Sequence, residues 1–101
     1  TYLALNGGPH FQFNEAFSIV VNCENQSEID YFWSHLGEGG TPGQCGWLKD
    51  RFGVSWQINP KILGEMMTDS DPEKVRRVTA AFLGMQKYDI EALKRAYRGD
   101  Q

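Results

Sequence analysis

Gln44-Cys45-Gly46-Trp47-Leu48-Lys49-Asp50-Arg51-Phe52-Gly53-Val54-Ser55-Trp56-Gln57-Ile58-Asn59 is the stretch that decides the fold. It reads as two short strands, Gln44 to Asp50 and Val54 to Asn59, on either side of Arg51-Phe52-Gly53, the pattern of a β-hairpin with a glycine in its loop. The second strand separates its faces. Val54, Trp56 and Ile58 point one way and Ser55, Gln57 and Asn59 the other, because side chains alternate along a strand. The apolar side is expected to meet helices or core and the polar side water or a cavity, which makes Gln57 a candidate pocket residue.

Working back along the chain, Ala16 to Cys23 (AFSIVVNC) is rich in β-branched and aromatic residues and is expected to be a strand buried on both sides. Asn25 or Ser27 can cap a following helix, in which Ile29, Phe32, Trp33 and Leu36 recur at i, i+3, i+4 and i+7. Gly37 stands where a left-handed C-cap would end that helix at about Leu36, and Glu38 to Gly43 reads as irregular. Gly37, Gly39 and Gly40 follow a helix rather than joining a strand to a helix, so they read as a helix stop and not as a phosphate cradle.

Working forward, Ile62, Leu63, Met66 and Met67 keep helical spacing for one or two turns after Pro60. Ser70-Asp71-Pro72-Glu73 opens a firmer helix, with Asp71 as N-cap and Pro72 at N1. Val75, Val78, Thr79, Phe82 and Met85 form its apolar stripe, and a last helix is expected from about Asp89. At the other end Asn6-Gly7-Gly8-Pro9 is a turn, so Thr1 to Leu5 reads as a short strand that stops there.

The composition limits the alternatives. A chain of 101 residues holds one domain, and 41% hydrophobic with 23% charged residues is the balance of a folded protein. A net charge of −3 argues against a nucleic-acid surface. The basic groups Lys74/Arg76/Arg77 and Lys94/Arg95/Arg98 read as solvated helix faces. No run approaches the ~18 apolar residues of a membrane helix, and no secretory leader pattern opens the chain, so no membrane partner and a cytoplasmic location are expected. Cys23 and Cys45 lack the spacing of a zinc or redox site and read as separate reduced thiols. His10 and His35 have no carboxylate at metal-ligand spacing and read as structural or surface residues.

Asn6-Gly7-Gly8-Pro9, Phe13-Asn14-Glu15-Ala16 and above all Gln44 to Ile58 resemble the PhnB-like family of the glyoxalase/bleomycin-resistance/dioxygenase (vicinal oxygen chelate) superfamily. Sequences of this kind often carry the label 3-demethylubiquinone-9 3-methyltransferase, yet no glycine-rich cofactor loop stands here to support methyl transfer. The resemblance implies an α+β fold: a βαβββ module at about 16–59 with added C-terminal helices at about 61–98, preceded by the last strand (1–5) of another module. It also implies a cavity closed by a second module or subunit, so that association with a second copy, a homodimer, or with a missing N-terminal half is expected.

The expected function is small-molecule binding, with Trp47, Ser18, Ser55 and Gln57 lining the cavity and no cofactor required. The alternative is a metal-dependent lyase, transferase or dioxygenase, in which Gln57 would join Glu15 or His10 and groups from a partner module around a divalent ion. Metal enzymes of the superfamily usually offer His or Glu at the start of a module's first strand. Phe17 and Ser18 stand there instead, so catalytic residues are unassigned.

Overall fold

A computed structural model describes residues 1–100 of the 101-residue chain. The element order is β1 (Ser18–Cys23), α1 (Gln26–Gly37), β2 (Thr41–Pro42), β3 (Trp47–Lys49), β4 (Ser55–Pro60), α2 (Lys61–Met67), α3 (Pro72–Leu83) and α4 (Ile90–Arg98). The first five form a βαβββ unit, and the remaining helices follow directly on β4. The fold is α+β, as expected.

The sheet runs in the order β1-β4-β3-β2. β1 lies parallel to β4 and the other pairs are antiparallel, so the chain crosses from β1 through α1 and returns to lay β4 between its first and third strands. The register sorts the side chains. Leu48, Trp56 and Ile19 share one row and face the helices together with Val21, Ile58 and Cys23. Ser18, Val20, Trp47, Lys49, Ser55 and Gln57 fall on the opposite face by alternation.

Helices cover the first of these faces only. The core there gathers Cys23, Leu48 and Ile58 from the sheet, Ile29 from α1, and Met66, Val78, Tyr88 and Leu93 from the C-terminal third. The helices after β4 therefore complete the core rather than decorate it. Their attachment is specific: Cys45 and Gly46 donate backbone hydrogen bonds to the carbonyls of Met85 and Gln86, both 2.8 Å. The Gln26 side chain clasps the start of α4 by donating to the Tyr88 carbonyl and accepting from the Ile90 amide. Burial pushes the Tyr88 phenol up to about 12, with the neighbouring Cys45 thiol adding to the shift.

The helix boundaries follow the capping chemistry. Asn25 caps α1 by accepting from the Glu28 amide, and Asp71 caps α3 with Pro72 in its first turn. Asp89 caps α4 by accepting from the Ala92 amide.

Several expectations need correction. The first strand of the hairpin, expected over Gln44 to Asp50, is confined to Trp47–Lys49, because Cys45 (φ 56°) and Gly46 (φ 79°) are left-handed and turn the chain before it. Gly37 is the last residue of α1, and the left-handed conformation falls at Gly39 (φ 75°). Glu38 is extended, so the reversal comes one residue after the cap. Thr41–Pro42 pairs with β3, within a segment that reads as irregular; two residues between glycines, one of them a proline, carry no periodicity to detect. β1 is not buried on both sides: Val20 is 49% exposed, because β1 is an edge strand and no helix covers its second face. Thr1–Leu5 forms no strand and is exposed throughout, since no described strand lies beside it to complete a ladder.

The basic groups of α3 and α4 divide. Arg76 pairs with Glu73 on the surface. Arg77 is not a solvated charge: it donates to the carbonyls of Ala96 and Tyr97 at 2.9 and 3.0 Å, satisfying the last turn of α4.

Candidate functional site

The uncovered face of the sheet is built from two side-chain rows. Thr41, Lys49, Ser55 and Ser18 are register partners across β2, β3, β4 and β1, which sets three hydroxyls and one ammonium side by side. Two residues further along the strands, Trp47, Gln57 and Val20 form the second row. Val20 and Trp47 stand outside the core cluster, so this face is a surface with its own chemistry and not a second core.

Ser18, Trp47, Ser55 and Gln57, the four cavity residues expected from the sequence, all lie on this face, but of the four only Trp47 and Ser55 border its groove, Ser18 and Gln57 standing outside it. The Gln57 side-chain amide donates to the Ser18 hydroxyl at 3.0 Å and ties the two rows together. Ser55 is 2% exposed at the floor, and above it Glu15, Thr41, Trp47 and Lys49 border a groove of about 280 Å³. That volume is close to the lower end of the range for small-molecule pockets, about 300 Å³.

The charged residue among the strand positions of this face is Lys49, a residue outside the expected site set. Its ammonium forms an ion pair with the Glu15 carboxylate, reached from the segment before β1. The hydrogen bond and charge of Lys49 hold the Glu15 carboxyl below its ordinary range. The alternation Trp47-Leu48-Lys49 held the signal, since it puts Lys49 on the same face as Trp47 once Leu48 is assigned to the core.

The residues proposed for a divalent ion do not assemble. Among the described residues no three His, Cys, Asp or Glu side chains come together. Glu15 is engaged by an ammonium that would repel a cation, Gln57 directs its amide NH2 at Ser18, and His10 stands in an exposed turn. Such ions ask for several anionic or imidazole donors, and this donor set does not fit one. Gly37, Gly39 and Gly40 also have a structural use. A Cβ on Gly40 would lie 2.1 Å from the Lys49 carbonyl oxygen, so the glycines let the chain close on β3.

A βαβββ unit with one face packed by helices and the other open, polar and aromatic is the architecture of a glyoxalase-like module. The chain belongs to the PhnB-like family whose model is described as 3-demethylubiquinone-9 3-methyltransferase, matched over residues 1–59. Among solved structures it is similar to a PhnB protein from Bacillus cereus (34% identity over 52% of this chain and 48% of that one, TM-score 0.48). It is also similar to protein PA1353 from Pseudomonas aeruginosa (27% identity over 52% of this chain and 46% of that one, TM-score 0.47). The chain thus spans about half the length of these two proteins. No curated protein matches it.

Proposed function

We propose that the open sheet face binds a small molecule, in a cavity that a second module or a second copy of the chain closes from above. The observation that carries this reading is the convergence of Trp47, Gln57, Ser55 and Ser18 on the face that no helix covers. An indole wall with a few fixed polar groups is the usual composition of a ligand pocket. Closure by a homodimer is supported by the exposure of the edge strand β1, with Ile19 38% and Val20 49% accessible, since an edge with apolar side chains favours pairing.

Methyl transfer, named in the family's description, is not part of the proposal, because the glycine-rich segment of the chain serves the turn into β2. The metal-enzyme alternative would need donors from a partner module and release of Glu15 from Lys49.

Thermal-shift screening with aromatic and quinone-like compounds tests the proposal, read beside metal analysis of the same preparation. A specific ligand at a hundredfold excess over its Kd should stabilise the protein by about 2.7 kcal/mol. Absence of any stabilising compound would count against binding, and stoichiometric divalent metal would favour the enzyme. Sedimentation at micromolar concentration should give a dimer, and a monomer would oppose closure by a second copy.

A further inference from the structure

We propose that the groove selects an aromatic carboxylate, with the ligand's carboxylate seated on Lys49 in place of Glu15 and its ring against Trp47. This rests on the small-molecule reading above and names the class of ligand.

Three observations carry it. Lys49 is the one charged residue among the strand positions of the open face, and its register partners Thr41 and Ser55 flank it with hydroxyls. A row of hydroxyl, ammonium and hydroxyl offers only one full charge, and that charge is positive, so it matches an anion with two acceptor oxygens. The second row begins about 7 Å along the strands, two residues at the usual rise. There Trp47 offers a flat aromatic surface beside the Gln57 amide.

The third observation is that a carboxylate already occupies Lys49. Glu15 comes from a segment without helix or strand, and the pair is solvent-accessible, with 41% of the Lys49 and 64% of the Glu15 side chain exposed. Exposed ion pairs are weak and easily exchanged. Glu15 therefore acts as a replaceable occupant that keeps Lys49 satisfied when the groove is empty. The groove of about 280 Å³ has room for an aromatic ring with its carboxylate.

Benzoate and its neutral analogue benzamide, titrated into the full chain, test this. Binding is followed by the Trp47 indole N–H resonance, assigned with Trp47→Phe. Benzoate should bind more tightly than benzamide, Glu15→Gln should tighten benzoate about threefold by removing the competitor, and Lys49→Gln should abolish the preference while Lys49→Arg retains it. Equal binding of the two compounds, with Lys49→Gln and Glu15→Gln without effect, would overturn the carboxylate assignment while leaving small-molecule binding in place. A Trp47 resonance that neither compound moves in any variant would overturn both.

Discussion

The indole Nε1 of Trp56 donates to Oδ2 of Asp50 at 2.9 Å, joining the two strands of the central hairpin across its loop. The other oxygen, Oδ1, accepts from the amides of Phe52 and Val54 at 2.9 and 3.0 Å. One carboxylate thus shapes the turn and fixes the helix-side residue Trp56, and so sets which way Ser55 and Gln57 face.

Replacing Asp50 should therefore loosen the hairpin. Asp50→Ala removes three hydrogen bonds to a charged group and is expected to cost on the order of 2 kcal/mol in urea unfolding. The effect depends on pH. Partial burial pushes the Asp50 carboxyl up, but the bonds from Trp56, Val54 and Phe52 outweigh it and hold the group below its ordinary value. A depressed folded-state pKa gives stability that is complete above the unfolded value, near 3.9, and is lost as pH falls through the folded value. The gap between wild type and Asp50→Asn should therefore be widest at neutral pH and narrow below about pH 4. A gap that stays constant down to pH 2 would show that the charge is not what Asp50 contributes.

Two glycines should respond in opposite directions. Gly46 has φ 79°, and a Cβ there would meet Tyr88 Cε2 at 2.5 Å and the Ile58 carbonyl oxygen at 2.9 Å. Gly46→Ala should destabilise by more than about 2 kcal/mol, because left-handed strain and overlap add. Gly64, inside α2, has open space where its Cβ would lie. Gly64→Ala should stabilise by about 0.5–1 kcal/mol through helix propensity alone. Thermal unfolding of both variants checks the contrast.

Arg77 should behave as a helix cap. Its guanidinium reaches the carbonyls of Ala96 and Tyr97 from α3, and Tyr97 in turn donates its hydroxyl to Asp69. Arg77→Gln is expected to cost about 1–3 kcal/mol and to increase amide exchange selectively in α4, whereas Arg76→Gln should have little effect. Equal exchange in the two variants would contradict a capping role.

What could be read in advance follows from how local each signal is. The turn of the hairpin, the faces of β4, the start of α1 at Asn25 or Ser27 and the Asp71-Pro72 start of α3 are set by periodicity or by contacts within four residues, and the structure contains them, with Asn25 as the cap. Thr41–Pro42 is too short for any period, and it becomes a strand only because β3 lies beside it. Val20 sits in a run of apolar residues that resembles a doubly buried strand, and its exposure depends on which face the helices cover. The docking of Cys45 and Gly46 onto Met85 and Gln86, and the capping of α4 by Arg77, join residues 19 to 40 positions apart and have no local signature.

The candidate site divides in the same way. Ser55 and Gln57 share a face by alternation along β4, while Trp47 and Ser18 join them there through cross-strand register. Lys49 carries no such local signal, since a lysine in a short strand resembles a solvated edge residue. Its importance depends on the cross-strand register with Thr41 and Ser55 and on Glu15 arriving from outside the sheet.

The open face is the centre of this account, and its most direct measurement is amide and side-chain chemical-shift mapping with the best stabilising compound from the thermal screen. The expected result is a set of shifts confined to Ser18, Trp47, Lys49, Ser55 and Gln57 and their neighbours on the sheet. Shifts clustered instead on the helices α2, α3 and α4, with these five residues unmoved, would contradict it.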